Sequence, residues 1–142
     1  MKRRTFLATA AGAASASALP LAARASMVDY TPGLINERLA AGETLFIDFY
    51  ASWCGTCQAQ NRVIDALWAE NPAYLEEITF VRVDWDTYGR SELSMGLNIP
   101  RRSTLVAIAP DRTEIGRLIA QTGRDDIKGL MDQALAVATG TA

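Results

Sequence analysis

Two cysteines, three residues apart, stand just past an apolar run. Leu45-Phe46-Ile47-Asp48-Phe49-Tyr50 leads through Ala51 and Ser52 into Trp53-Cys54-Gly55-Thr56-Cys57, which holds every cysteine of the chain. An apolar strand feeding a helix that opens on Cys-x-x-Cys is a redox arrangement, and it commits this part of the chain to a strand-then-helix unit. A cysteine at a helix N-terminus meets unpaired backbone N–H groups and the positive end of the dipole, so its thiolate is favoured. The second cysteine lies one turn on and can attack the first to close a disulfide.

Rival uses of the pair lack either energy or ligands. A structural staple would close a loop of only a few residues and remove little unfolded-state entropy. The chain has no histidine, so it cannot build a zinc site of two cysteines and two histidines, and a four-cysteine site would need a second subunit. Gln58 follows Cys57, which removes the Cys-x-x-Cys-His signature of covalent haem attachment. No metal or other cofactor is expected.

The start of the chain reads as an export signal. Lys2, Arg3 and Arg4 form a basic head, a mild apolar stretch follows, and Ala23-Arg24-Ala25 supplies the small-x-small pattern expected before cleavage. Arg3-Arg4-Thr5-Phe6-Leu7 resembles the twin-arginine core. The expected division is a signal peptide over residues 1–25 and one domain over 26–142, with a periplasmic or otherwise exported product. An uncleaved anchor is the alternative, but the segment is poor in Leu, Ile and Val for a membrane span. Removing it leaves ten basic residues against 16 acidic ones, a net charge of −6. That balance speaks against binding nucleic acid or anionic membranes.

The remaining residues alternate elements. Thr31 can cap a helix with Pro32 at its first position, ending at Gly42. Thr44 to Tyr50 is a strand whose near-continuous apolar character suits a sheet covered on both faces. A helix from Cys54 should stop before Pro72, with a short turn at Tyr74, Leu75 and Ile78. Thr79 to Asp84 is a strand, and a helix follows within Thr87 to Leu97. Thr104 to Ala109 and Thr113 to Ile119 form a hairpin across Pro110-Asp111-Arg112. A last helix starts near Thr122, where Thr122 and Asp125 resemble a capping box. The predicted order is α-β-α-β-α-β-β-α: an α/β, four-stranded mixed sheet with helices on both faces.

From Thr31 to Ala138 the chain resembles the thioredoxin family. Phe49-Tyr50-Ala51-Ser52-Trp53-Cys54-Gly55-Thr56-Cys57 is similar to that family's Trp-Cys-Gly-Pro-Cys site, and the element order agrees. The resemblance implies a thioredoxin-like fold, with Cys54 as exposed nucleophile and Cys57 as resolving thiol. Asp48, six residues before Cys54, matches the buried acid that assists deprotonation of Cys57; a carboxylate inside an apolar strand is costly without a use. Arg82 matches a lysine near that acid, so an Arg82–Asp48 ion pair that holds Asp48 ionised is expected.

Two positions depart from the family pattern. Thr56 replaces a proline, so its N–H and hydroxyl become available to stabilise the Cys54 thiolate and make the disulfide more oxidising. Gly55, Thr56 and Arg82 are thus the expected tuning residues. Families of this fold also place a cis-proline before a Thr-Leu strand start. In Ile99-Pro100-Arg101-Arg102-Ser103-Thr104-Leu105, alignment on Thr104-Leu105 puts Ser103 in that slot. A cis serine would cost roughly 3 kcal/mol, so either a trans loop or a shifted Pro100 is expected. The expected substrate surface comprises Trp53, Trp85, Arg102 and Ser103, with Arg101 beside them.

The function implied is an exported thiol-disulfide oxidoreductase of the protein-disulfide reductase type. It would act as a monomer on protein disulfides and be re-reduced by a membrane or soluble redox partner. A disulfide-forming oxidase, or a non-catalytic binding module on the same fold, are the alternatives.

Overall fold

The computed structural model describes residues 27–142. The proposed signal segment lies outside them. In order, the elements are β1 (Val28–Asp29), α1 (Leu34–Ala40), β2 (Thr44–Tyr50), α2 (Gly55–Glu70), α3 (Ala73–Glu77), β3 (Ile78–Asp84), α4 (Trp85–Tyr88), α5 (Glu92–Gly96), β4 (Thr104–Ile108), β5 (Glu114–Ile119) and α6 (Arg124–Ala138). The sheet runs β1-β3-β2-β4-β5. β1, β3 and β2 pair parallel, whereas β4 and β5 join antiparallel.

The alternation along β2 builds two cores, one on each side of the sheet. Phe46 packs with Phe80, Leu105 and Ala107 against Ile64 and Leu67 of α2 and Ile127, Leu130 and Met131 of α6. Leu45, Ile47 and Phe49 face the other way, against Ile35 and Leu39 of α1 and the α4–α5 segment. β2 is central and covered on both faces, so all but its last residue is buried. Asp48 shares the Phe46 face, which places it under α2.

The sheet has five strands rather than four. β1 is two residues long, too short for an alternating pattern, and it exists because the chain pairs with β3 in register Val28↔Val81 and Asp29↔Arg82. α1 also starts later than the Thr31-Pro32 pattern predicts. Gly33 stands at φ 90° and the Leu34 N–H closes a turn on the Thr31 carbonyl. A left-handed residue there breaks any helical turn begun at Pro32.

The single helix expected within Thr87 to Leu97 is two. Asp84 caps α4 by accepting from the Asp86 N–H, and Ser91 caps α5 by accepting from the Ser94 N–H. At Gly89 a Cβ would lie 2.8 Å from the Trp85 carbonyl oxygen, so glycine lets the chain close over that residue. At α6 the N-cap is Gly123, with no side-chain cap, in place of the Thr122 capping box. Asp125 and Asp126 in its first turn complement the dipole instead.

Candidate active site

β2 ends at Tyr50 level with Asp84 of β3, and both following segments open helices at that edge. Cys54 is the N-cap of α2, in extended conformation, and Cys57 is the third residue of the helix. The two form a disulfide with Cα atoms 5.3 Å apart. The Cys57 N–H donates to Cys54 Sγ at 3.1 Å. This is the bond a serine or aspartate N-cap would accept through oxygen. It singles out Cys54 as the sulfur facing the helix end.

The resemblance implies an exposed Cys54, but in this disulfide form Cys54 is 3% exposed and Cys57 1%. Ala51, Tyr50 and Trp85 pack around them, and Ser103 closes over both. Ser103 Oγ lies 3.1 Å from Cys54 Sγ and 3.1 Å from Cys57 Sγ. Its backbone is fully engaged: the N–H donates to the Phe49 carbonyl at 2.7 Å, and its carbonyl accepts from the Ala120 N–H at 2.8 Å and from Gln60 Nε2 at 3.0 Å. Gln60 Nε2 also reaches the Gln121 carbonyl at 2.9 Å.

Asp48 is completely buried. Its Oδ2 accepts from Asn61 Nδ2 at 3.1 Å, and Oδ1 has no partner among the described residues. Burial pushes its pKa up to about 7, against smaller lowering effects of the Asn61 hydrogen bond and the Arg82 charge. Asn61 Nδ2 also donates to the Cys57 carbonyl at 2.7 Å, so one side chain ties the acid to the turn carrying the second cysteine.

The expected Arg82–Asp48 ion pair is not formed. Arg82 stands opposite Asp48 in the sheet register, but its Nε and Nη2 donate to Asp29 Oδ1 at 3.0 and 2.7 Å. Its guanidinium lies 5.0 Å from the centroid of the Tyr50 ring. A solvated pair with Asp29 avoids burying two charges, and burying them is the costlier arrangement. Asp48 is accordingly pushed towards its neutral form rather than held ionised.

Thr56 does not supply the expected donor. As second residue of the helix it lies beside Cys57, whose N–H reaches Cys54 Sγ, and the other group there is the Ser103 hydroxyl. Gly55 opens α2, and a Cβ there would meet nothing within 4 Å.

Trp53 is 60% exposed beside the disulfide. Its Nε1–H donates to Asp86 Oδ2 at 2.9 Å and the Arg102 guanidinium sits 4.3 Å from its ring centroid. The indole is thus held between the start of α4 and the loop before β4. Trp85 is taken up by packing: it is half-buried against the cysteine pair and meets Phe49 edge to face at 6.5 Å. Of the expected surface, the exposed Trp53 and the half-buried Arg102 form one stacked unit, while Ser103 is buried. Arg101 is exposed, and its Nε bonds the Arg102 carbonyl.

A family model described as Thioredoxin matches residues 27–133. The chain belongs to the thioredoxin family. It is 33% identical to a thioredoxin of Chlamydia trachomatis serovar D over 98 residues, covering 68% of this chain and 87% of that one. It is 35% identical over 81 residues to a thioredoxin-like protein, CITRX, chloroplastic, of indica rice, covering 55% of this chain. It spans only 40% of that rice protein's length. Among solved structures, Trxlp of Edwardsiella tarda EIB202 is 26% identical with a TM-score of 0.62, over 75% of this chain and 96% of that one. A thioredoxin of Malassezia sympodialis, 20% identical with a TM-score of 0.65 over 78% and 92% of the two chains, shares the fold.

Against the thioredoxin pattern, the loop before β4 is the main departure. β4 begins at Thr104, so Ser103 is the residue immediately before that strand. No peptide bond among the described residues is cis, and Ser103 stands at φ 62°. The chain therefore meets the turn with a left-handed trans serine, while Pro100 is exposed three residues earlier. Gln60 and Asn61 were not expected at the site. A signal for Gln60 was present: it shares the buried stripe of α2 with Cys57, Ile64 and Leu67, where an amide needs a polar partner. Asn61 lies one turn after Cys57, a neighbouring position on a helix.

A cavity of about 440 Å³ lies elsewhere, lined in part by Tyr30, Ile35, Leu39, Leu93 and Leu97. It contains none of the residues around the disulfide. No group of three or more metal-ligating side chains is gathered among the described residues, and no helix among them is long and apolar enough to cross a membrane.

Proposed function

We propose that the chain is an exported thiol-disulfide oxidoreductase that reduces or exchanges protein disulfides through Cys54 and Cys57. The Cys54–Cys57 disulfide at the mouth of α2, with the Cys57 N–H on Cys54 Sγ, carries this reading. In the reducing direction the Cys54 thiolate attacks a substrate disulfide, and one substrate sulfur leaves as a thiolate and takes up a proton. Asp48, with a pKa near neutrality, accepts the proton of Cys57. Cys57 then attacks Cys54 Sγ and frees the second substrate thiol. Two electrons pass to the substrate, and a membrane or soluble dithiol partner must return them. Trp53 and Arg102 would form the surface that meets the protein substrate, with the chain acting as a monomer.

Only the five-residue helix α3 intervenes between α2 and β3, so that connection carries no inserted helical domain. This favours the reductant. The two donors converging on Cys54 Sγ favour the second reading, a disulfide-forming oxidase, because they stabilise the reduced form. The test is to equilibrate the protein against a glutathione series and to assay insulin reduction with a recycling thiol. A potential in the range of reducing thioredoxins, about −270 mV, together with turnover of insulin supports the reductant. A potential near that of strong oxidants, about −120 mV, reverses the direction. A pair that neither exchanges with glutathione nor turns over insulin rejects both in favour of a binding module.

Export rests on residues 1–25, and its route is open to a separate test. Arg3→Lys combined with Arg4→Lys should leave full-length precursor in the cytoplasm of a host with a twin-arginine pathway, scored by fractionation. Undiminished export of that variant would assign the general secretory route.

A further inference from the structure

The hydroxyl of Ser103 touches both reacting sulfurs, and nothing in the scheme above uses it. Its environment leaves it few choices. Ser103 is completely buried, away from bulk solvent, and among the described residues its Oγ has as partners the two Sγ atoms, each at 3.1 Å. A buried hydroxyl has one proton to donate and two lone pairs. Towards a disulfide that proton meets a neutral, weak acceptor. Towards a thiolate it makes a charge-assisted bond, roughly twice as strong as a neutral one.

We propose that Ser103 is a catalytic residue whose hydroxyl donates to whichever of the two sulfurs is ionised, stabilising the reduced dithiol over the disulfide. The inference deepens the oxidoreductase reading and rests on it. In the resting dithiol Ser103 O–H and the Cys57 N–H both donate to the Cys54 thiolate, while the Cys57 S–H can donate to Ser103 Oγ. During resolution Cys54 is bonded to substrate, and the same hydroxyl turns to the Cys57 thiolate as it forms. Equal distances to the two sulfurs make this change a rotation of one O–H, with no movement of the loop.

The loop is built to keep the hydroxyl there. Three hydrogen bonds hold the Ser103 backbone, from β2, from the end of β5 and from the Gln60 side chain. They maintain a φ of 62°, a region that costs a non-glycine residue free energy and persists where the surroundings enforce it. Proline is confined to negative φ and has no hydroxyl. Serine in this conformation gives the site a donor that proline cannot supply.

The experiment compares wild type with Ser103→Ala and Ser103→Gly. Alanine keeps the backbone cost and removes the hydroxyl; glycine removes the hydroxyl and relieves the backbone. Two readouts are taken on the reduced protein without any protein substrate. One is the ultraviolet absorbance of the thiolate against pH. The other is the equilibrium in which two glutathione thiols are oxidised to their disulfide as the Cys54–Cys57 bond is reduced. Both variants should titrate about one pH unit higher than wild type. Both should favour their disulfide form about tenfold more, which corresponds to a potential about 30 mV more negative. Variants that titrate and equilibrate as wild type does overturn the inference and leave the oxidoreductase reading standing. A shift confined to one variant also overturns it, because the cause would be the backbone. A wild-type pair that does not exchange with glutathione at all removes both readings together.

Discussion

At pH 8, Asp48→Asn should be more stable than the wild-type disulfide form by about 1 to 3 kcal/mol, and near pH 4 the order should reverse by about the same amount. The carboxyl has no exposure, and its pKa stands at about 7 in the fold against an ordinary 3.8. A raised folded-state pKa means the native chain holds its proton where the unfolded chain has released it. The native state therefore has full stability from this group below about pH 3.8 and loses it as pH rises through about 7. Three pH units correspond to about 4 kcal/mol. Asparagine escapes that loss and still accepts from Asn61, but its amide N–H₂ takes the place of Oδ1, which has no partner among the described residues. An unsatisfied buried donor costs about 1 to 3 kcal/mol, which reduces the net gain to the figure above.

Few other groups can imitate the effect. The chain has no histidine, and cysteines in a disulfide do not titrate. The lowered carboxyls Asp111 and Asp132 act below 3.8, and the raised tyrosines Tyr30 and Tyr74 act above 10. Urea unfolding of both proteins at intervals from pH 4 to pH 8 is the measurement. The wild-type midpoint should fall across that range while the variant's stays nearly flat. Parallel curves would show that Asp48 is ionised throughout and that the Arg82 charge outweighs burial after all.

What the sequence disclosed and what it withheld divide along physical lines. β2, α2 and their junction were legible because an apolar run, a proline stop and the Cys-x-x-Cys motif are local signals. The carboxylate at position 48 was legible for a related reason: it interrupts a run in which every neighbour is apolar. Its charge state was not. Arg82 sits across from Asp48, and the sequence suggests a pair, yet the outcome depends on Asp29, which reaches Arg82 only through the two-residue strand β1. No pattern of two residues can announce a strand, so the competitor for Arg82 was invisible.

Ser103 shows the same limit at the site itself. Alignment on Thr104-Leu105 pointed to Ser103, and the cost of a cis serine argued for a trans loop. That reasoning could not give φ 62° or aim the hydroxyl at both sulfurs, because those follow from Phe49, Ala120 and Gln60, distant in sequence. The donor assigned to Thr56 was misplaced for a local reason. With Cys54 as N-cap, the cap bond comes from Cys57 at the third helical position, so it uses the second cysteine's own N–H. Side-chain chemistry was readable; the direction in which backbone groups point was not.

The largest effect belongs to the cysteines, and the structure makes their variants easy to interpret. Cys54→Ser should reduce protein disulfides no faster than the uncatalysed background, because an alcohol supplies no appreciable anion at neutral pH while a thiol at a helix N-terminus does. The fold should survive the change. Serine is among the preferred N-caps and can accept from the Cys57 N–H as Cys54 Sγ does now. Cys57→Ser should behave oppositely: Cys54 still attacks, but no second sulfur stands ready to release the product. A mixed disulfide with substrate should then accumulate to about one per chain, visible as an added mass that a small thiol removes. A serine at position 57 would have Ser103 Oγ as its hydrogen-bond partner, now 3.1 Å from Cys57 Sγ, so its burial is not left uncompensated. Insulin turnover and mass measurement of trapped adducts, read together, decide the order of the two thiols. If Cys54→Ser traps substrate and Cys57→Ser does not, the attacking sulfur is Cys57 and the N-cap geometry has been given the wrong role.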